Sequence, residues 1–303
     1  MTHFADIVAL AENPLTYPDE RNFAAILGAS PSKGARSPIL WNTAFKAHGS
    51  DAEMLPIDIP RDRLDELLAA LNANPNFLGG AVAVPYKESV ARWLKNRLTS
   101  EALVIGAVNC LFREGTGHLK GANTDGEGAL VSFEREFGKI AEKSVLLLGP
   151  GGAGKAVAAF VRQAIGTNGR LRIAGRSETG RRYAEQLKCD WIKWSEVAAA
   201  LPTTEVLINC TSVGAGVTAG QTPISEKDLS LLPSHAVVFD IIYQPAPSTL
   251  LTLAAKRGLM VLDGTEMNLE QAVLAYGYAA AQPRGTETTR AAMEEAKRLL
   301  DGS

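Results

Sequence analysis

Ser144-Val145-Leu146-Leu147-Leu148-Gly149-Pro150-Gly151-Gly152-Ala153-Gly154-Lys155-Ala156 is the stretch on which the reading of this chain turns. Its first five residues are almost wholly aliphatic, as expected of a strand covered on both faces. That strand opens into Gly149, Gly151 and Gly154, which satisfy G-x-G-x-x-G, with Gly152 and Ala153 completing the loop. The Ala- and Val-rich segment 155–165 predicts a helix directly afterwards. The first glycine permits the tight turn, the second lets backbone approach a pyrophosphate, and the third lets helix pack on strand. The helix N-terminus then faces the anion. Gly149, Gly154 and Lys155 also fit G-x-x-x-x-G-K, but position 156 is Ala, where a magnesium-holding hydroxyl is required. The loop therefore predicts a dinucleotide site rather than an ATP-hydrolysing one. A glycine turn that only packs helix on strand is the structural alternative.

Outward from this loop, strand signals recur at 170–174, 206–209, 237–240 and 260–262, with helical stretches between several of them. Such alternation predicts a doubly wound parallel sheet. At the end of the second strand, Arg176 and Ser177 stand where the adenosine ribose is read. An arginine with a neighbouring hydroxyl can grip a 2′-phosphate, which favours NADP, with Arg181 and Arg182 as further candidates. Glu178 could instead bind a free 2′-hydroxyl and keeps NAD open.

Before the loop, 23–28 reads as a strand and 61–72 as a helix, since Leu64, Leu67, Leu68 and Leu71 share one face. A further helix is expected from Pro38 after a Ser37 cap. Strand signals are read at 80–85, 102–112 and 119–122, and a helix over 124–138. The segment 266–300 reads as helical, interrupted at Pro283 and Gly285.

The 303 residues suit two domains, and their 46% hydrophobic and 21% charged content is that of a globular chain. A formal net charge of -2 gives no basic footprint for nucleic acid. No apolar run approaches a membrane span, and 1–14 lacks the charge pattern of a cleaved leader. Three scattered cysteines and four scattered histidines predict neither a disulfide framework nor a metal site. The expectation is a cytoplasmic, metal-free protein, monomeric or homodimeric.

Several stretches, in order, resemble the shikimate dehydrogenase family, which includes quinate/shikimate and aminoshikimate dehydrogenases. They are Ser37-Pro38-Ile39-Leu40-Trp41-Asn42-Thr43-Ala44-Phe45, Val82-Ala83-Val84-Pro85-Tyr86-Lys87-Glu88, Gly106-Ala107-Val108-Asn109 and Gly121-Ala122-Asn123-Thr124-Asp125-Gly126. After the glycine loop come Asn209-Cys210-Thr211-Ser212-Val213-Gly214, Asp240-Ile241-Ile242-Tyr243-Gln244-Pro245 and Gln271-Ala272. The resemblance covers nearly the whole chain. It implies an α/β substrate-binding domain (1–124 plus 266–303) and a Rossmann-type dinucleotide domain (125–265), with the active site in the cleft between them.

The implied reaction is reversible NAD(P)-dependent oxidation of a ring hydroxyl of shikimate to a ketone. Quinate, aminoshikimate or another cyclic hydroxy acid is the alternative substrate, and a non-catalytic nucleotide-binding regulator the alternative class. Carried over residue by residue, Lys87 and Asp125 form the catalytic pair. Asn109 and Gln271 bind substrate hydroxyls, while Ser37 and Tyr243 lie near the carboxylate. Thr211, Val213 and Gly264 join the glycine loop around the cofactor. Taken alone, Lys87 would read as a solvated lysine and Asp125 as a first-turn helix acid.

The chain departs from the family pattern at Gly34 and Ala35, where His and Ser are usual, and in a first loop one residue longer. Ala81, Ala83 and Cys110 likewise replace more polar residues. Lost donors predict weaker or altered shikimate recognition, with Lys33 as a replacement carboxylate ligand.

Overall fold

The computed structural model describes residues 3–115, 117–280 and 287–301. They divide into two compact units, Met1–Thr124 with Gln271–Ser303, and Asp125–Glu270.

In the first unit the chain runs through α1 (Phe4–Val8), β1 (Phe23–Gly28), α2 (Ser37–Ala47), β2 (Glu53–Asp58), α3 (Leu64–Ala73) and β3 (Phe77–Val82). It continues through α4 (Lys87–Leu94), α5 (Ser100–Ile105), β4 (Cys110–Phe112) and β5 (Lys120–Ala122). The sheet order is β2-β1-β3-β4-β5. β1 pairs in parallel with β2 and β3, whereas β3–β4 and β4–β5 are antiparallel. Leu64, Leu67, Leu68 and Leu71 are all buried, as their spacing predicts, in a core shared with Phe23, Leu27 and Phe77.

The second unit begins with α6 (Asp125–Phe137), β6 (Ser144–Leu148), α7 (Gly152–Ala164), β7 (Arg170–Gly175), α8 (Glu178–Gln186) and β8 (Asp190–Lys193). There follow α9 (Val197–Ala200), β9 (Val206–Asn209), α10 (Glu226–Leu229), β10 (Val237–Asp240), α11 (Thr249–Lys256) and β11 (Met260–Leu262). Last come α12 (Gly264–Ala279), whose residues from Gln271 onward belong to the first unit, and α13 (Glu287–Asp301), which belongs to the first unit entirely. All pairings in this sheet are parallel, in the order β11-β10-β9-β6-β7-β8. Counted from β6, that is the doubly wound 3-2-1-4-5-6 arrangement, with its switch point between β6 and β9. The aliphatic run of β6 has a direct cause. Val145 and Leu147 enter the core on one face of the sheet, and Leu146 and Leu148 the core on the other.

Four local readings are corrected. Residues 102–105 are helical, and only Cys110–Phe112 of the 102–112 stretch is strand. Thr99 caps α5 by accepting from the Ala102 N–H, and Gly106 ends it at φ +69°. Two caps outweigh the β preference of Val104 and Ile105. Ser37 lies inside α2, which starts after Arg36, so it is not the cap. β3 begins at Phe77 and ends at Val82, short of Pro85. The glycine-loop helix starts at Gly152, ahead of Lys155. The interruptions read at Pro283 and Gly285 lie outside the described residues.

Arg113 staples the first unit. Its guanidinium donates to the carbonyls of Leu71 (2.8 Å), Asn72 (2.9 Å) and Asn74 (3.0 Å) at the end of α3. It also donates to Phe77 O (3.0 Å) and Gly117 O (2.6 Å). Burial lowers its pKa, but these acceptors, at the negative end of a helix, suit a cation. Arg113→Met strips all five at once and should destabilise the protein by about 3 kcal/mol, the scale of charged hydrogen bonds left unmade. Urea unfolding by circular dichroism measures the loss; an unchanged midpoint would make the staple ornamental.

Candidate active site

The second unit builds a nucleotide-shaped loop at its switch point. The Gly149 N–H donates to Ala174 O (2.9 Å), and the Lys155 N–H to Gly151 O (2.8 Å), closing the first turn of α7. Gly151 precedes that turn in an extended conformation, and a Cβ built on it would meet nothing within 4 Å. Open space above bare backbone at a helix N-terminus is what a pyrophosphate requires. At the end of β7, Arg176 and Ser177 are both exposed. Ser177 caps α8, accepting from the Gly180 N–H at 3.2 Å. The Arg176 guanidinium lies over the Trp194 ring, 5.6 Å from its centroid. Glu178, the alternative candidate at this position, faces Arg182 at 3.9 Å, and Arg181 pairs with Glu185 at 3.1 Å.

A buried network orders the turns after β9 and β10. Asn209 donates to Asp240 Oδ1 (3.0 Å), and its own Oδ1 accepts from the Thr211 N–H (3.0 Å) and Oγ1–H (2.8 Å). Thr211 Oγ1 in turn accepts from the Val213 N–H at 3.1 Å. Ser248 Oγ donates to Asp240 Oδ2 at 2.6 Å. Burial pushes the Asp240 carboxyl above the usual carboxylate range, although Ser248, the Ile242 N–H and Asn209 all donate to it. Thr211 and Val213 are thus held by hydrogen bonds rather than by packing alone. Tyr243 follows this turn, half-buried, and the Gly264 N–H donates to Ile242 O at 3.0 Å. Asp125, buried, is the first residue of α6.

In the first unit, Asn109, Thr124 and Gln271 converge. Asn109 Nδ2 donates to Thr124 Oγ1 (3.0 Å) and Gln271 Oε1 (3.3 Å). Asn109 Oδ1 accepts from the Thr124 N–H (2.8 Å), and Thr124 Oγ1 donates to Gln271 O (2.9 Å). Two amides far apart in sequence are therefore mutually oriented. Lys87, half-buried, opens α4 after a cis Val84–Pro85 bond. Its carbonyl accepts from the Val108 N–H (2.9 Å), next to Asn109. Tyr86, just before it, donates through its hydroxyl to Ile59 O (2.7 Å), and burial raises its pKa.

The loop between β1 and α2 is tied down by a residue the sequence reading missed. Buried Asp58, at the end of β2, accepts from both the N–H (2.8 Å) and the hydroxyl (2.5 Å) of Ser32. Lys33, beside it, is exposed, Ala35 is half-buried and Ser37 is buried. Thr124 and Trp194 were missed as well. Their partners lie in other elements; Thr124 stands inside a quoted stretch whose reading fell on Asp125, and no motif marks Trp194.

A family model described as the shikimate dehydrogenase substrate binding domain matches residues 27–111. The shikimate dehydrogenase (NADP(+)) of Symbiobacterium thermophilum is 35% identical over 266 residues, 84% of this chain and 87% of that protein. That of Thermosynechococcus vestitus is 33% identical over 270 residues, covering 88% and 93% of the two chains. The crystal structure of shikimate 5-dehydrogenase from Thermus thermophilus, in complex with NADP(H) and shikimate, superposes with a TM-score of 0.77 at 25% identity. It covers 92% of this chain and 99% of that one.

Proposed function

This chain belongs to the shikimate dehydrogenase family, and on that premise we propose that it is an oxidoreductase that reversibly converts a ring hydroxyl of shikimate to the ketone with NADP. The observation that carries the reading is the convergence of Asn109, Thr124 and Gln271 beside the backbone-pinned Lys87. Two oriented amides that would exchange the bond between them for bonds to vicinal hydroxyls suit a polyhydroxylated ring.

Bound NADP+ would supply the acceptor for the hydride that leaves the carbinol carbon. The Gly149–Gly151 backbone and the α7 N-terminus would hold its pyrophosphate, and Arg176 with Ser177 its 2′-phosphate. Thr211, Val213 and Gly264 would border the nicotinamide side. The hydroxyl proton goes to the unprotonated amine of Lys87. In reverse, the ammonium polarises the ketone and returns that proton. Asp125 serves the same hydroxyl as the other member of the pair and orients Lys87 for that transfer. Ser37 and Tyr243 serve the carboxylate end, with Lys33 as an added cation. A cytoplasmic location, a monomeric or homodimeric state and the lack of a nucleic-acid partner belong to the same proposal, the last supported by a net charge of -2 that gives no basic footprint.

The test is nicotinamide reduction at 340 nm, with shikimate and quinate each paired with NADP+ and NAD+. Efficient turnover of shikimate with NADP+ is expected. Bound NADP+ with no absorbance rise on shikimate would overturn the substrate assignment. Arg176→Ala should raise KM for NADP+ about 10- to 100-fold, the scale of one charged hydrogen-bonded pair, and leave KM for NAD+ unchanged. Equal effects on both would show that Arg176 does not read the 2′-phosphate.

A further inference from the structure

We propose that Trp194 is the positioning residue for Arg176, and that its ring sets the preference for a cofactor bearing a phosphate on the adenosine ribose over one without it. This inference rests on the reading of Arg176 given above.

An exposed arginine is a poor anion reader unless something orders it, because its long side chain loses rotamer freedom on binding. Among the described residues Arg176 makes no ion pair, and its partner is the Trp194 ring, 5.6 Å away. The neighbouring acid that could claim it is engaged elsewhere, since Glu178 faces Arg182. The backbone on the Arg176 side is fixed by the Ser177 cap of α8.

Trp194 is itself anchored. It opens the short 3-10 turn Trp194–Glu196 directly after β8. Its side chain packs on the core that holds Leu148, Ala174 and Val197. The turn is locked by the Lys193 N–H, which donates to Glu196 Oε2 at 2.8 Å. The guanidinium carbon stands over the Trp194 ring, 5.6 Å from its centroid. An indole offers the guanidinium no hydrogen-bond acceptor, so the N–H donors stay available for a bidentate phosphate. The ring therefore orders the arginine without competing for the ligand.

The test uses the full chain and two probes, 2′,5′-ADP and 5′-AMP, with dissociation constants from calorimetry, alongside KM for NADP+ and NAD+. Trp194→Leu should weaken 2′,5′-ADP and raise KM for NADP+ three- to tenfold, with 5′-AMP, NAD+ and kcat within twofold. Trp194→Phe, which keeps a ring, should recover most of the loss. In an Arg176→Ala background Trp194→Leu should add nothing, because the two act as one unit. Unchanged 2′,5′-ADP binding in Trp194→Leu overturns the inference while Arg176→Ala still separates the two probes. Equal weakening of both probes also overturns it, as a merely structural role would give that result. If Arg176→Ala fails to separate the probes, the reading of Arg176 falls and this inference with it.

Discussion

Replacing Lys87 by methionine is expected to lower kcat for shikimate oxidation by about 10²- to 10⁴-fold, the range contributed by a positioned general base. Methionine keeps the length of the stem and is a good helix former, so the first turn of α4 should persist. The bond from the Val108 N–H reaches the Lys87 carbonyl, not its side chain, and survives the change. The glycine loop, Arg176 and Trp194 all belong to the other unit, so the dissociation constant for NADP+ should stay within twofold. If Lys87 acts on the proton alone, kcat and kcat/KM fall together. Added primary amines should restore part of the rate to Lys87→Ala, whose side chain leaves room for them. A methionine variant that keeps more than about a tenth of the wild-type kcat would remove Lys87 from the proton-transfer role.

What the sequence revealed, and what it hid, follows from where the physical signal is local. β6 and the turn into α7 were legible because both faces of the strand are buried and the glycines fall within six residues at the spacing G-x-G-x-x-G. α3 was legible because one helical face holds four leucines. β2 escaped notice because it is an edge strand that carries Pro56 between charged ends, which edges tolerate. β8 escaped for a similar reason: it is four residues at the other sheet's edge and half open to solvent. α5 was misread because Val104 and Ile105 advertise a strand, while the deciding residues, Thr99 and Gly106, stand outside the apolar run. The candidate site divides the same way. Lys87, Asp125, Asn109 and Gln271 were named through a family resemblance, since singly each is an ordinary surface or core residue. The clasp between Ser32 and Asp58, and the ring beneath Arg176, join elements that only the folded sheet brings together. No spacing rule reports a contact of that kind.

The glycine loop allows a sharper experiment, because two of its glycines should fail for different reasons. A Cβ on Gly154 would sit 2.1 Å from Gly149 O and 3.1 Å from Cys210 Cβ. The first contact is with backbone and cannot be relieved by a rotamer change. Gly149 cannot retreat, since its own N–H is bonded to Ala174 O and it holds φ at +86°. Gly154→Ala must therefore push α7 away from β6, an overpacking penalty of about 1–3 kcal/mol or more. It should lower the melting temperature and abolish measurable NADP+ binding together. A Cβ on Gly151 meets nothing within 4 Å, and its extended backbone accepts any side chain. Gly151→Ala should fold with an unchanged melting temperature. It should still bind NADP+ at least about tenfold more weakly, because the added methyl occupies the surface where backbone must approach the pyrophosphate. Calorimetric affinity and differential scanning calorimetry on both variants separate the two effects. Full NADP+ affinity in Gly151→Ala would reduce the loop to a packing turn between strand and helix.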